Sequence, residues 1–315
     1  MESNIVVIGG ANIDVCAKSD SRIIYRDSNI GKVEFALGGV GRNIAEDLCL
    51  FGADTSLLTA IGNDSFGRVV SDNAYQQNFT LLEKPFKNAK TGVYAYMPDN
   101  DGSFVVGVND MEITSMITPQ IIEKNINALY FADYVLLEAN LPEPTIDKIC
   151  SYDFKLVADS VSGLKCVRLR NVINKLYLLK ANLIELVALT GKTIKEDGVR
   201  ELVRMGLKRG IVTLGKDGAM CFEVTEEGIC CYELPNLENH KIVDTSGCGD
   251  AFLAGFMMGI MRGHSMSDCL YIGQSAACLN AESFSSVNRD MSYTKLKEVV
   301  SEFKKKTQIK KDILK

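Results

Sequence analysis

A glycine-rich loop that ends in a carboxylate lies at residues 244–250, which read DTSGCGD. Glycine leaves room for backbone N–H groups to converge on a ligand, and this loop presents those of Gly247, Cys248 and Gly249. The helix predicted directly after the loop adds partial positive charge, which favours a bound anion such as phosphate. Asp250 would compete for these donors unless it acts as the base that phosphoryl transfer to an alcohol requires. The alternative is an ordinary glycine loop with Asp250 as the helix N-cap.

Several other chemistries are excluded by what the chain lacks. It has only 2 histidines, His240 and His264, and neither stands at ligand spacing from cysteines, which argues against histidine-based hydrolases and zinc sites. The 10 cysteines contain no CxxC pair and mostly lie in apolar runs, so we expect reduced, buried thiols. The GKT at 191–193 is not a P-loop, because Leu186 stands where the motif requires glycine. The segment 39–44 lacks the third glycine of the dinucleotide-binding fingerprint.

Length, composition and charge indicate an ordinary globular protein. The 315 residues are 46% hydrophobic and 24% charged, and 35 basic and 40 acidic side chains leave a net charge of −5. This balance disfavours binding to nucleic acid or to an anionic membrane. No apolar run reaches the ~18 residues of a membrane span, and the N-terminus shows no basic stretch or cleavable signal. We therefore expect a cytoplasmic protein.

Short apolar runs rich in Val and Ile alternate with amphipathic helical segments. This rhythm predicts an α/β fold with a doubly wound, mainly parallel sheet, in which ligands bind at the carboxyl ends of the strands. Strands are predicted at 5–9, 55–61, 134–138, 155–159, 176–180 and 210–214. Helices are predicted at 41–51, 66–77, 145–150, 182–190, 195–208 and 251–262.

Two segments depart from this rhythm. Strands at 91–97 and 103–108 are joined by a polar turn at 98–102, and 32–37 is also strand-like, with no crossover helix between them. We expect a small antiparallel sheet that forms a lid over the strand ends. The alternative is a structural extension of the sheet edge.

No linker, repeat or low-complexity tract divides the chain. We predict one domain at 1–306, with lid segments at about 15–37 and 91–112 inserted into it, followed by a Lys-rich C-terminal tail at 307–315. Lid strands with apolar faces and no helix to cover them favour a homodimer formed through the lid.

Several motifs of the chain resemble those of a known family, and they occur in the same order. Residues 38–45 (GGVGRNIA) resemble the N-terminal signature of the ribokinase/PfkB family of carbohydrate and nucleoside kinases, and 244–250 resemble its C-terminal signature. Between them, 62–67 (GNDSFG) and 212–218 (VTLGKDG) match further family segments in the right order. The resemblance extends over nearly the whole chain and implies an ATP-dependent kinase with a ribokinase-like fold.

The resemblance implies catalytic roles for matching positions. Asp250 would take the proton from the substrate hydroxyl, and 247–249 would hold the transferring phosphate. Asn182 and Glu185 match the NxxE element of the family, share one helix face at i, i+3 spacing, and would order Mg²⁺ through water. Without the other motifs, the same pair also fits a helix N-cap and a surface carboxylate.

Nucleotide and cation sites are also implied by the resemblance. Thr213 and Gly215, at the end of a predicted strand, match a turn that contacts the nucleotide. Asn280 would lie near adenine, although packing in the core explains it equally well. Asp244 and Ser246 coincide with a monovalent-cation site, for K⁺, although the loop expected to face them departs from the family pattern.

A sugar site is implied next to the first strand. Asp14 would accept hydrogen bonds from vicinal sugar hydroxyls, with Asn12 beside it. Gly38, Gly39 and Asn43 would complete the pocket, since glycines let the backbone approach the sugar ring. For Asp14, the alternative is a plain turn residue.

Three further stretches resemble the pseudouridine kinases of this family: 99–102 (DNDG), 109–111 (NDM) and 159–166 (DSVSGLKC). Residues 42–46 fit the same branch. The implied reaction transfers phosphate from ATP to the 5′-hydroxyl of pseudouridine. The open alternatives are another nucleoside (uridine, adenosine or inosine), free ribose, or a non-catalytic ligand sensor that kept the fold.

Contacts to the base of the substrate are expected from the lid. Tyr94 and Asn109 are candidates, although tyrosines in strands also serve packing. Lys165 either meets phosphate oxygens of the nucleotide or pairs with a surface acid. No basic residue is obvious near Asp14, and this favours an uncharged sugar or nucleoside over a sugar phosphate.

Overall fold

The computed structural model describes residues 4–99, 103–237 and 242–314, so His240 and part of the predicted lid turn (100–102) lie outside the described residues. The strands, in chain order, are β1 (Asn4–Ile8), β2 (Asn12–Ser19), β3 (Gly31–Gly38), β4 (Asp54–Leu58), β5 (Thr80–Leu81), β6 (Gly92–Pro98), β7 (Phe104–Asp110), β8 (Tyr134–Glu138), β9 (Leu156–Asp159), β10 (Leu176–Asn182), β11 (Arg209–Thr213), β12 (Ala219–Thr225), β13 (Gly228–Leu234) and β14 (Lys310–Leu314). The α-helices are α1 (Val40–Leu50), α2 (Ser65–Gln77), α3 (Pro119–Lys124), α4 (Ile126–Phe131), α5 (Glu143–Cys150), α6 (Leu183–Thr190), α7 (Lys195–Arg204), α8 (Cys248–Met261), α9 (Met266–Ala281) and α10 (Tyr293–Lys306). Within the described ranges, none of these helices has the length and apolar composition that a bilayer span requires.

Ten strands form one large sheet, in the order β14-β13-β12-β11-β10-β9-β8-β1-β4-β5. Neighbours from β11 to β5 run parallel, so the predicted α/β fold with a mainly parallel sheet is confirmed. The strands β12, β13 and β14 add an antiparallel edge that the sequence did not predict. A short turn joins β12 to β13. Parallel pairing of two consecutive strands requires a long crossover connection, so these two strands pair antiparallel.

Helices cover the large sheet on both faces, as β1 shows most clearly. Ile5 and Val7 belong to one hydrophobic core, and Val6 and Ile8 belong to another. Because successive side chains of a strand point to opposite faces, both faces of the sheet are buried. The continuous apolar run of β1 is therefore explained by two-sided burial.

The predicted small sheet is confirmed, and it has the order β3-β2-β6-β7. It consists of two antiparallel pairs, β2 with β3 and β6 with β7, joined by a parallel pairing of β2 with β6. The parallel pairing is possible because a long connection through α1, β4 and α2 separates the two strands. Val33, Phe35, Val106 and Val108 are exposed on this sheet, and a contact between two copies through the lid stays a prediction.

The Lys-rich segment at 307–315, expected as a solvated tail, contains β14. This strand pairs antiparallel with β13 and forms one edge of the large sheet. Lys310 and Lys311 are exposed on it. Exposed lysines on an edge strand discourage pairing with the edge of another chain.

Glycines let α1 approach the end of β1. A Cβ atom at Gly41 would lie 2.8 Å from the Cα and the carbonyl carbon of Gly9, which is closer than side chains come to backbone. A Cβ at Gly39, whose φ is +99°, would lie 2.5 Å from the carbonyl oxygen of Gly10. The contact therefore requires glycine, and it places Asn43 at the carboxyl edge of the sheet.

We expect Gly41→Ala to lower the free energy of unfolding by about 1–3 kcal/mol. The backbone of Gly9 cannot move aside, and this clash outweighs the gain of up to about 1 kcal/mol in helix propensity. Urea denaturation measures the difference. Gly163→Ala is the control, because the nearest atom to its Cβ would be a side-chain carbon of Ile184 at 3.3 Å. Equal losses of stability in the two variants would contradict the expectation.

Candidate active site

Two glycines, Gly247 and Gly249, shape the loop at 246–249 where α8 begins, and Gly247 cannot be replaced without backbone strain. Gly247 is the N-cap of α8 at φ 73°, and a Cβ there would lie 1.8 Å from the carbonyl oxygen of Ser286. A Cβ at Gly249 would lie 2.9 Å from Nζ of Lys180. The missing side chain of Gly249 therefore keeps a space open between the start of α8 and an ammonium group. This space suits an anion.

Lys180 belongs to the site, and the sequence analysis missed it. The side chain is buried near the end of β10, and its Nζ donates a 2.9 Å hydrogen bond to Oδ2 of Asp159. Burial lowers the pKa of Lys180, but the carboxylates of Asp159, Asp250 and Glu185 together raise it above its usual range. The ammonium therefore stays charged. A lysine inside the apolar run LYLLKAN, two residues before Asn182, was the signal in the sequence.

Asp250 lies in the first turn of α8 and is 8% exposed. Its Oδ2 accepts a 2.7 Å hydrogen bond from Nδ2 of Asn43. The N-cap alternative is wrong, because Gly247 occupies that position. Burial and the charge of Asp159 raise the pKa of Asp250 to about 7, against the lowering effects of Lys180, of the Asn43 hydrogen bond and of Arg42. A carboxyl group with this pKa is suited to general-base catalysis near neutral pH.

A cavity of about 290 Å³ lies under the lid sheet and brings most of the predicted acceptor residues together. The predicted residues that line it are Asn12, Asp14, Gly39, Asn43, Tyr94, Asn109, Lys165, Ser246 and Gly247. Nδ2 of Asn12 donates a 2.7 Å hydrogen bond to Oδ1 of Asp14. Burial raises the pKa of Asp14, while Asn12 and Arg42 oppose the shift. A Cβ at Gly38 would lie 2.3 Å from Oδ2 of Asp14, so glycine is needed there as well.

Lys165 lies beneath the lid, whereas the sequence left it either at the nucleotide phosphates or in a pair with a surface acid. It lines the cavity beneath the lid, and its Nζ donates to Oδ1 of Asn140. The assignment differed because the sequence does not show which cavity the loop after β9 faces. Burial lowers the pKa of Lys165, whereas the charge of Glu138 raises it.

Glu138 and Asn140 are two residues that the sequence analysis missed. Glu138 is fully buried at the end of β8, where Oε1 accepts from the backbone N–H of Gly10 at 2.8 Å and Oε2 from that of Asn140 at 2.6 Å. Burial raises the pKa of Glu138 to about 7, although these two hydrogen bonds lower it. One carboxyl group thus holds the loops after β1 and β8 in place. An acid at the end of an otherwise apolar strand was the available signal.

A second cavity, of about 360 Å³, lies on the other side of the loop at 246–249. Its lining includes the predicted residues Thr213, Gly215, Cys248 and Gly249, and also Asn236, Phe252 and Gln274. Cys248 and Gly249 face this cavity, whereas Ser246 and Gly247 face the cavity beneath the lid. The two cavities therefore flank the start of α8. Asp250 is in the lining of neither cavity, but it lies in the first turn of α8 and accepts a hydrogen bond from Asn43, which lines the cavity beneath the lid.

Asn280 does not line the second cavity. It is fully buried, and its Nδ2 donates to the carbonyl oxygens of Ser246 at 2.9 Å and Ser286 at 3.3 Å. Its Oδ1 accepts from the backbone N–H of Asn288 at 2.9 Å. This geometry favours the alternative of packing in the core, because all of these bonds brace the loop before α8 against the loop after α9.

Asn182 and Glu185 form a capping box at the start of α6. Both oxygens of Glu185 accept hydrogen bonds, Oε2 from Ser160 at 2.5 Å and Oε1 from Nδ2 of Asn182 at 2.7 Å. The described residues contain no cluster of three or more His, Cys, Asp or Glu side chains placed to hold a metal ion. Direct ligation by Glu185 would break bonds already made, so the pair fits only a metal ordered through water.

Asp244 and Ser246 form a local turn on the same loop. Oδ1 of Asp244 accepts from the backbone N–H of Ser246 at 2.9 Å and from its hydroxyl at 3.0 Å. The backbone N–H of Val243 donates to the carbonyl oxygen of Ala281 at 2.7 Å, so the C-terminal end of α9 lies against this turn. A monovalent cation at this place stays a prediction.

Comparison with known proteins finds kinases that match nearly the full length of the chain. A pseudouridine kinase of Escherichia coli (strain K12) is 30% identical over 298 residues, which cover 91% of this chain and 93% of the relative. A ribokinase of Bacillus subtilis (strain 168) is 24% identical, with coverage of 89% and 94%. Among solved structures, a carbohydrate kinase from Agrobacterium tumefaciens superposes with a TM-score of 0.84 at 27% identity, with coverage of 95% and 97%. The ribokinase of Thermotoga maritima gives a TM-score of 0.81 at 20% identity, with coverage of 96% and 100%.

The fold and these relatives define a phosphotransferase with a ribokinase-like architecture. The sequence profile of the pfkB family carbohydrate kinases matches residues 2–291. The chain therefore belongs to the pfkB family of carbohydrate kinases, and the resemblance seen in its motifs is confirmed.

The raised pKa of Asp250 leads to a prediction for the pH dependence of the reaction. Only the ionised carboxylate accepts a proton, so kcat/KM for the acceptor is expected to fall about tenfold per pH unit below pH 7, the approximate pKa of this group. Steady-state rates over a pH series measure the profile. Circular dichroism at each pH is the control for unfolding. A rate that stays constant down to pH ~5 in folded protein would contradict the assignment.

Proposed function

We propose that the chain transfers the terminal phosphoryl group of ATP to the 5′-hydroxyl of a nucleoside, and that this nucleoside is pseudouridine. The observation that carries the proposal is that two cavities flank the loop 246–249, with Asp250 in the first turn of α8 and bonded to Asn43 of the cavity beneath the lid. The nucleotide would occupy the cavity lined by Thr213 and Gly215, and the nucleoside would occupy the cavity beneath the lid. This arrangement brings a phosphate and an alcohol to the same helix start.

In this mechanism, Asp250 takes the proton of the 5′-hydroxyl as the oxygen attacks the phosphorus atom. The backbone N–H groups of Gly247 and Gly249 and the ammonium of Lys180 would stabilise the negative charge of the transferring group. The predicted contribution of Cys248 is disfavoured, because its N–H donates to the carbonyl oxygen of Thr245 at 3.2 Å. Asn43 holds the Asp250 carboxylate through its 2.7 Å hydrogen bond. Mg²⁺, when bound with ATP, would neutralise phosphate charge, and Asn182 and Glu185 would hold it through water.

The acceptor cavity offers two sets of polar groups. Asp14 and Asn12 suit the vicinal hydroxyls of a ribose, and Gly39 leaves space for the ring. Asn109 and Asn140 present amides that can pair with the N–H and carbonyl groups of a base. In pseudouridine both ring nitrogens carry hydrogen, because the sugar is attached through carbon. The amide oxygens of these asparagines can accept hydrogen bonds from the two ring N–H groups of such a base.

Relatives support a nucleoside or sugar as the acceptor. The Escherichia coli relative at 30% identity is a pseudouridine kinase, and a second pseudouridine kinase, from Arabidopsis thaliana, is 25% identical over 68% of this chain. A guanosine-inosine kinase is 22% identical, and a ribokinase of Arabidopsis thaliana in the solved structures is complexed with ribose and ATP. The expectation that no basic residue lies near Asp14 is wrong, because Lys165 lines the same cavity, where its ammonium donates to Asn140.

We expect Asp250→Asn to lower turnover by about 10²-fold or more, because the amide cannot accept the proton. The substitution nearly preserves volume, so the fold and the nucleotide cavity should remain. Coupled-assay kinetics give the turnover, and calorimetric titration with ATP gives nucleotide binding. Turnover that remains at the wild-type level would remove Asp250 from the mechanism.

A substrate panel tests the acceptor. We expect pseudouridine to have the highest kcat/KM among pseudouridine, uridine, adenosine, inosine and ribose, each assayed with ATP and Mg²⁺. A higher value for another acceptor would replace pseudouridine in the proposal. The absence of any ATP-dependent product would favour the non-catalytic sensor, with wild-type Escherichia coli pseudouridine kinase as the positive control.

A further inference from the structure

A buried ion pair on α1 lies between the lid sheet and Asp250. Arg42 is 1% exposed and Glu46 is fully buried, and Nη1 of Arg42 donates to Oε2 of Glu46 one helical turn away. The proposed function assigns a role to neither residue. A buried ion pair adds little stability over apolar side chains of similar volume, because both charges lose their hydration. Stability is therefore a weak reason for its presence.

Arg42 also binds the end of the lid strand β3 with two of its nitrogen atoms. Its Nη2 donates to the carbonyl oxygen of Leu37 at 2.9 Å, and its Nε donates to that of Gly38 at 3.3 Å. Gly38 lies directly against Asp14, since a Cβ there would be 2.3 Å from Oδ2 of that carboxylate. By holding these two carbonyls, the guanidinium sets the position of the backbone beside the sugar-binding carboxylate.

Arg42 also orients the side chain that holds Asp250. Its Nη2 donates to Oδ1 of Asn43, and Nδ2 of Asn43 donates to Oδ2 of Asp250 at 2.7 Å. An amide has one acceptor end and one donor end. With the acceptor end bound to the guanidinium, the donor end must face Asp250. The reversed amide would place an oxygen against the carboxylate.

Glu46 anchors this arrangement from the opposite side. Its Oε2 also accepts from Nδ2 of Asn73 on α2 at 3.1 Å, and its Oε1 accepts from Nε of Arg289 at 2.8 Å. Three segments that are distant in sequence therefore fix one carboxylate. The guanidinium of Arg42 is held in one orientation as a result.

We propose that Arg42, anchored by Glu46, is a positioning residue that couples the end of β3 to Asp250 through Asn43. The inference rests on the proposed role of Asp250 as the base. It assigns a function to the ion pair: the sugar-binding carboxylate and the base are held at a fixed separation by a single planar group. A lysine at position 42 would keep the charge, but a single ammonium cannot hold the same oxygens at once.

A double-mutant cycle tests the coupling. Arg42→Lys, Asn43→Ala and the double variant are compared with the wild type, and Arg204→Lys is the matched control. Arg204 makes a two-point ion pair with Glu201 at 2.8 and 2.6 Å on exposed α7, away from both cavities. We expect Arg42→Lys to lower kcat/KM for pseudouridine by about 10- to 100-fold, as expected for a lost hydrogen bond to a charged group. KM for ATP should stay within about twofold, and Arg204→Lys should match the wild type.

The cycle separates positioning from loss of structure. In the Asn43→Ala background, Arg42→Lys is expected to cost clearly less than in the wild type, because its route to Asp250 is gone and only its contacts to β3 remain. A partly unfolded variant would instead lose kcat without a change in the KM for pseudouridine. Equal losses in both backgrounds, or wild-type kinetics for Arg42→Lys, would overturn the proposal. If Arg42→Lys does not fold, Glu46→Gln, which removes the anchoring charge but keeps Arg42, replaces it in the same cycle.

Hydrogen exchange distinguishes failure of this inference from failure of the proposed function, because it needs no substrate. Arg42→Lys is expected to speed amide exchange at the end of β3 and in the first turn of α8, whereas Arg204→Lys should change neither. Unchanged exchange in both segments would overturn the coupling even in an active enzyme. Faster exchange in both, with no phosphoryl transfer by the wild type to any acceptor of the panel, would support the coupling and overturn the proposed function.

Discussion

A buried ammonium between carboxylates is the interaction on which the site depends. Lys180 reaches Asp159 at 2.9 Å and borders the space that Gly249 leaves open at the start of α8. An unpaired charge in this interior would carry a large desolvation cost. The ammonium and the carboxylates are therefore stable there only as partners of each other. The same ammonium lowers the pKa of Asp250 against the effects of burial and of Asp159. It therefore prepares a place for an anion and keeps the neighbouring carboxyl group within reach of ionisation at neutral pH.

The loop at 246–249 separates the two cavities, because its first two residues line one cavity and its last two line the other. Gly247 turns the chain through a positive φ against Ser286, and Asn280 ties the same loop to the segment after α9 from within the core. The bracing is needed because a loop of glycines has little rigidity of its own. Asn280 thus contributes to the shape of the site without facing either cavity.

The cavity beneath the lid sheet is assembled from elements that are far apart in the chain. The small sheet supplies Asp14, Tyr94 and Asn109, the start of α1 supplies Asn43, and the loops after β8 and β9 supply Asn140 and Lys165. Buried side chains that line neither cavity hold these elements together. Two chains of hydrogen bonds do this, one through the Glu138 carboxyl group and one through the guanidinium of Arg42.

The sequence alone determined the fold class, the strands of the small sheet and the glycine loop at the start of α8. Periodicity marks the strands of the parallel sheet, and the glycines around residues 38–41 and 247–249 are required by backbone conformations and close approaches that only glycine permits. Tertiary structure decided the rest. Lys180 and Glu138 show in the sequence only as charges within apolar strands, and the partners that give each charge its role are set by the tertiary structure. The sequence likewise does not show that Lys165 lines the cavity beneath the lid, that Asn280 faces the core, or that β14 joins the sheet, since each depends on contacts between segments distant in the chain.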